Sequence, residues 1–203
     1  MTLNGHGISG TIVTEEAGIR ALFERENIRY DLWNGGEVRT FQGMMDYVNR
    51  DRFLVVDQGP GKAPVIMVTN VVVYIWCMRT IQEELYEAFQ SFDDGSRPPE
   101  SRGFDGISET VAKDETLDQA VVQLLAEEPG YSEPGFRDPK NYQVYRWTPK
   151  PSGLRDSDKW PGLKAVYERN CFNCQITNPR IYHPEGYHEI RDGITTVFRW
   201  KRI

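Results

Sequence analysis

Apolar residues along this chain recur in two rhythms, one of helices and one of strands. In "TEEAGIRALFEREN" (Thr14 to Asn27), Ile19, Leu22 and Phe23 form a stripe at helical spacing. Thr14 stands as the expected cap, with acids in the first turn. "TFQGMMDYVNRD" (Thr40 to Asp51) reads as a second short helix capped by Thr40. "TIQEELYEAFQSF" (Thr80 to Phe92) carries Ile81, Leu85 and Phe89 four residues apart and predicts a third. Runs rich in β-branched residues predict strands at "RFLVVD" (Arg52 to Asp57) and "PVIMVTNVVVYIW" (Pro64 to Trp76), with the turn segment "QGPGKA" between them. Further strands are expected at "NYQVYRW" (Asn141 to Trp147), "VYERNCFNCQIT" (Val166 to Thr177) and "TTVFRWKRI" (Thr195 to Ile203). "DDGSRPPESRGFDG" (Asp93 to Gly106) and "TPKPSGLRDSDKWPG" (Thr148 to Gly162) have the composition of loops. Strands on either side of a few helices, without regular βαβ alternation, point to an α+β fold with a mixed sheet.

A chain of 203 residues is long enough to bury a sizeable core. Its formal net charge of -6 argues against a nucleic-acid polymer as partner, because phosphate backbones need a basic face. A small anionic substrate held by a metal and a few arginines stays open. The longest apolar stretch, "APVIMVTNVVVYIWCM", is interrupted by Thr69 and Asn70 and is too short to span a bilayer. "MTLNGHGISG" lacks the basic and apolar regions of a signal peptide. Cys77, Cys171 and Cys174 are an odd number, so a disulfide framework is not expected. Together these features lead to the expectation of a soluble cytoplasmic protein, with no membrane partner.

The most informative segment is "SETVAKDETLDQAVVQLLAEEPGY" (Ser108 to Tyr131). From Thr116 onward, Leu117, Ala120, Val121, Leu124 and Leu125 share one helical face, and Thr116 with Gln119 forms a capping box. Glu127 and Glu128 sit at the helix C-terminus, where the macrodipole disfavours negative charge. A metal ion, an arginine or plain solvent could compensate them there.

The run resembles the Nudix signature, in which a glycine, a glutamate and the sequence Arg-Glu-apolar-any-Glu-Glu-any-Gly follow in fixed order. Counting back from Gly130, Glu127 and Glu128 match the paired glutamates, Leu125 the apolar position and Glu115 the loop glutamate. The later segments "WPGLKAVYERNCFNCQI" and "YHPEGYHEIRDGITTVFRW" also look like a Nudix subgroup, so the resemblance runs from Pro64 to Ile203. It departs at four positions. Leu124 replaces a helical metal-binding glutamate, Gln123 the signature arginine and Glu109 the first glycine, while Pro129 follows Glu128 directly. Gln123 could then give Glu115 at most a hydrogen bond. A residue before proline is pushed out of the α region, which redirects Glu128.

The resemblance implies an α/β/α sandwich; the Nudix-like domain is expected over 53–203, with residues 1–52, outside the resemblance, as an N-terminal helical extension packed on it. It implies hydrolysis of a small diphosphate-containing metabolite, such as a nucleoside diphosphate derivative, with Mg²⁺ or Mn²⁺. Glu127 and Glu128 would be metal ligands, with Glu115 near the metal or supporting the loop. Glu185 and Glu189 in "HPEGYHE" are candidates for the base by composition alone. Arg97 and Arg102, flanking a rigid Pro-Pro, could meet a substrate phosphate. Two other readings stand beside this one. One is a lapsed Nudix fold that binds a ligand or protein without cleaving it. The other is metal-free chemistry on an organic substrate using His183, Glu185, Tyr187 or His188. A homodimer cannot be read from the sequence either way.

Cys171, Cys174, His183 and His188 have the residue types of a zinc site, but the cysteines fall three apart in an expected strand and so face opposite ways. Plain strand and loop is the simpler reading of that stretch.

Overall fold

The computed structural model describes residues 2–3, 8–33, 39–50, 52–78, 82–95, 99–112, 114–147 and 153–203. In chain order the strands are β1 (Thr2–Leu3), β2 (Ile8–Ser9), β3 (Thr11–Val13), β4 (Phe53–Asp57), β5 (Val65–Met78), β6 (Gln82–Phe92) and β7 (Glu100–Asp105). They continue as β8 (Ile107–Thr110), β9 (Tyr142–Trp147), β10 (Arg155–Asp156), β11 (Lys164–Ile176), β12 (Tyr187–Arg191) and β13 (Ile194–Arg202). The α-helices are α1 (Glu16–Arg25), α2 (Phe41–Asn49) and α3 (Leu117–Glu127). The α+β class expected from the sequence is met. None of the described helices is long and apolar enough to cross a membrane.

The chain forms two compact units. One comprises Met1–Asn70, Thr110–Asp114 and Lys150–Arg169, and the other Val71–Glu109, Glu115–Pro149 and Asn170–Ile203. In the first unit β4 pairs antiparallel with β3 and with the start of β5. Helix α1 turns Ile19, Leu22 and Phe23 inward, as their spacing predicts. Its cap is Glu15 rather than Thr14, and no side chain closes that end. Helix α2 is capped as expected, Thr40 Oγ1 accepting from the Gly43 N–H at 3.0 Å. Phe41, Met44, Met45 and Val48, at helical spacing, are all buried. Phe23 sits at the centre of an aromatic group, its ring 5.7 Å from Trp33 and 6.1 Å from Phe41 in edge-on geometry. Trp160, Leu163 and Ala165 join the same core from far along the chain. At the end of β4, Arg25 grips Asp57 with two hydrogen bonds of 2.6 and 3.1 Å. That grip holds the Asp57 carboxyl below its ordinary range.

In the second unit β6 pairs antiparallel with β13 along most of its length, with a bulge at Val197/Phe198, and with β7. The helix expected over Thr80 to Phe92 is therefore a strand from Gln82 onward, and Thr80 and Ile81 lie outside the described residues. A four-residue spacing suits both periods, because it is one turn of a helix and two pleats of a strand. Leu85 is fully buried in the strand, and the long partner strand β13 favours that period. Strand β7 likewise occupies part of the expected loop Asp93 to Gly106. Helix α3 has the expected box, with Thr116 Oγ1 accepting from Gln119 N–H and Gln119 Oε1 accepting from Thr116 N–H at 2.9 Å. The strands expected at β9, β11 and β13 are present.

Truncating the centre of the aromatic core tests this packing. Phe23→Ala is expected to destabilise the protein by about 3–5 kcal/mol, read as a lower urea midpoint.

Candidate active site

Helix α3 ends in a way its sequence dictates. Pro129 forbids Glu128 the helical conformation, and Glu128 adopts φ −80° and ψ −82° as the cap residue. A Cβ on Gly130 would lie 2.8 Å from the Leu125 carbonyl oxygen, so only glycine lets the chain turn that closely against the helix. The two adjacent glutamates thereby part company. Glu127 is exposed, accepts a 2.7 Å hydrogen bond from Gln123 and lies 3.6 Å from the Arg191 guanidinium. Gln123, at the position of the signature arginine, thus braces Glu127. Glu128 is drawn inward, and its carboxyl is pushed well above the usual range by burial, then by Glu189, Glu109 and Glu87, with Arg191 opposing.

Glu189, on β12, shares these surroundings. Burial raises its carboxyl, Arg191 counters, and Glu127, Glu109 and Glu87 raise it further. The cluster thus gathers acids from β6 (Glu87), β8 (Glu109), the end of α3 (Glu127 and Glu128) and β12 (Glu189) around Arg191. Arg191 also lies 3.9 Å from Glu109. Beside it opens a cleft of about 520 Å³ lined by Ala126, Glu127, Tyr131, Arg137, Glu189, Ile190 and Arg191. Glu127 and Glu189 supply hard anionic oxygens to this cleft, Arg137 and Arg191 cations, and Tyr131 and Ile190 an apolar flank.

Of the residues singled out from sequence, Glu127, Glu128 and Glu189 come together. Glu115 stands partly buried just ahead of the α3 cap, and the charges acting on Glu128 come from elsewhere. Glu185 lies 3.8 Å from His183 Nδ1 with a largely exposed carboxylate, away from the cleft lining. Arg97 lies outside the described residues, as does the side chain of Arg102. His183 is held by Glu133, Nε2 to Oε2 2.5 Å. Burial pushes the Glu133 carboxyl up, but hydrogen bonds from His183 and the Gly135 N–H outweigh it. Tyr187 is buried and donates to the Ile181 carbonyl at 2.6 Å, which ties it to the fold. Cys171 and Cys174 are buried in β11, and burial lifts the Cys174 thiol to about 12. Among the described residues, no three His, Cys, Asp or Glu side chains form a group that could hold a metal ion by themselves.

Arg191, Arg137 and Glu87 were not singled out from sequence, and Glu109 was noted only as standing at the first glycine of the Nudix signature. Arg191 carried one readable signal: in "HEIRD" it stands two residues after Glu189, so a strand projects both to one face. Glu87 was hidden by the helical reading of β6.

No family model matches this chain, and no curated protein does. Among solved structures, one it is similar to is described as the crystal structure of a MutT/nudix family protein from Enterococcus faecalis, at 11% identity and a TM-score of 0.35. The match covers 93% of this chain and 56% of that one, so the chain spans little more than half its length. A likeness at that level assigns no family.

The crowded carboxylates have a measurable signature. Acids with raised values in the folded state bind protons that the unfolded chain has already lost, so stability falls as pH rises from about 4.5 through the folded values of Glu128 and Glu189. Glu128→Gln is expected to flatten that fall and to raise the melting temperature at pH 8, measured by thermal unfolding in chelator.

Proposed function

We propose that this chain hydrolyses a small diphosphate-containing metabolite, such as a nucleoside diphosphate derivative, in the cleft beside the end of α3. The observation that carries the reading is that two carboxylates, Glu127 and Glu189, and two arginines, Arg137 and Arg191, line one open cleft. Carboxylates alone would repel a diphosphate, and the arginines by themselves leave the acids uncompensated. A divalent cation between substrate and protein reconciles the two.

Mg²⁺ commonly takes one or two protein carboxylates and completes its shell with water and substrate phosphate oxygens. Glu127 and Glu189 offer that number, and like-charge crowding on Glu128 and Glu189 is strain that a cation relieves. Bound there with substrate, Mg²⁺ or Mn²⁺ would neutralise phosphate charge and acidify a water molecule. Arg137 and Arg191 bind the remaining phosphate oxygens as charge-assisted donors. Glu189 would take the proton of the attacking water with the carboxylate oxygen it does not give to the metal, while the bridging P–O bond breaks and the phosphate or monophosphate leaves as an anion held by the arginines. Tyr131 and Ile190 flank the less polar part of the substrate. The α3 terminus with its paired glutamates also supports a Nudix-like α/β/α arrangement, which belongs to this proposal.

One observation favours a second reading, a binding module that no longer cleaves. Leu124, at the position of a helical ligand in the Nudix signature, is 2% exposed and serves the core.

One assay separates them. Purified protein is incubated with a panel of diphosphate metabolites and Mn²⁺ or Mg²⁺, and phosphate or monophosphate release is followed. Hydrolysis is expected to vanish in excess chelator and to fall by about 10²-fold or more in Glu189→Gln. Turnover undiminished in chelator would sink the metal-assisted reading. Ligand binding without release of product would favour the binding module.

A further inference from the structure

We propose that the outer edge of β9 is a self-association surface, and that a second copy of this chain pairs with it about a twofold axis. Strand β9 runs antiparallel to β11 on one side, from Tyr142 opposite Ile176 to Trp147 opposite Cys171. Among the described residues no strand pairs with its other side. In an antiparallel strand about half of the backbone N–H and C=O groups face each side, so β9 presents a free hydrogen-bonding edge.

Proteins that stay apart usually blunt such an edge with lysines, a proline, a bulge or extreme shortness. Strand β9 has six residues, one charge and no proline within it. It exposes apolar groups on both faces: Val144 is 36% accessible, Tyr145 53% and Trp147 46%. This is the composition of a strand that is to be covered.

What covers it follows from charge. On one face, Val144 and Arg146 border a groove of about 340 Å³ closed by Asp118, Val121 and Val122 of α3 over buried Phe172. The groove therefore has an apolar floor flanked by one acid and one base. Arg146 Nη2 donates to Asn170 Oδ1 at 2.9 Å, a bond that takes one of the five N–H donors of its guanidinium. A twofold interface requires that if one residue meets a second, the second meets the first in return. An antiparallel pairing centred on Tyr145 sets Val144 opposite Arg146 of the partner subunit. Arg146 then reaches Asp118 of the partner subunit, and the same contact repeats across the axis. A single acid and a single base per copy suffice for two ion pairs.

Sedimentation equilibrium of the full chain tests this, together with charge exchange. The wild type is expected to sediment at twice the 23.4 kDa of one chain. Arg146→Glu and Asp118→Lys each oppose like charges and are expected to shift the protein to monomer. The double variant restores opposite charges in exchanged positions and is expected to restore the dimer. Circular dichroism of each single variant confirms folding, and the double variant separates a lost contact from a lost fold. Amide exchange in β9 should also slow as protein concentration rises. A wild type that stays monomeric at all concentrations overturns the proposal. So does a dimer that survives both single variants, or a double variant that remains monomeric.

Discussion

A proline directly after a helical glutamate governs the chemistry-bearing part of this molecule. Pro129 ends α3 and denies Glu128 the backbone angles that would have kept it beside Glu127. One of two consecutive carboxylates stays in solvent at the lip of the cleft, and the other is driven towards the interior. Gly130 completes the turn by letting the chain touch the last helical carbonyls. After that sharp reversal Tyr131 lines the cleft, and Glu128 lies within the field of Glu189, Glu109 and Glu87. The acidic cluster is thus a consequence of backbone stereochemistry before it is one of electrostatics.

Electrostatics then decides what the cluster can do. Arg191 is shared by Glu109 and Glu127 at 3.9 and 3.6 Å and acts on Glu128 and Glu189 as well. Burial first, and then the neighbouring acids, lift Glu128 and Glu189 above the ordinary carboxylate range against the pull of Arg191. Under the proposed function, that site would take up positive charge as protons or as a divalent cation accompanying an anion.

Much of this was legible in residue order. Thr116 and Gln119 announced the start of α3, Leu124 and Leu125 its buried face, and Pro129-Gly130 its end. The strands β9, β11 and β13 announced themselves by β-branched and aromatic residues. What stayed hidden was long-range. Leu85 and Phe89 fit either period, and it is pairing with β5, β7 and above all β13, more than a hundred residues onward, that makes β6 a strand. With β6 misread, Glu87 could not be placed in the site. Glu109 and Arg191 are neighbours through folding alone, on strands β8 and β12 far apart in the chain. In the first unit, Trp160 joins Phe53 and Tyr47 in one aromatic group that no local pattern connects.

The three cysteines carry a further consequence. None is in a disulfide and all are buried, and burial lifts the Cys174 thiol to about 12. Only thiolates attack oxidants and alkylating reagents efficiently, so Cys174 is chemically quiet in the folded chain, and burial shields Cys77 and Cys171 from reagents. Their reactivity becomes a property of opening rather than of surface chemistry. Each sulfur in β5 and β11 is a silent clock, started only when the strand that shields it comes apart.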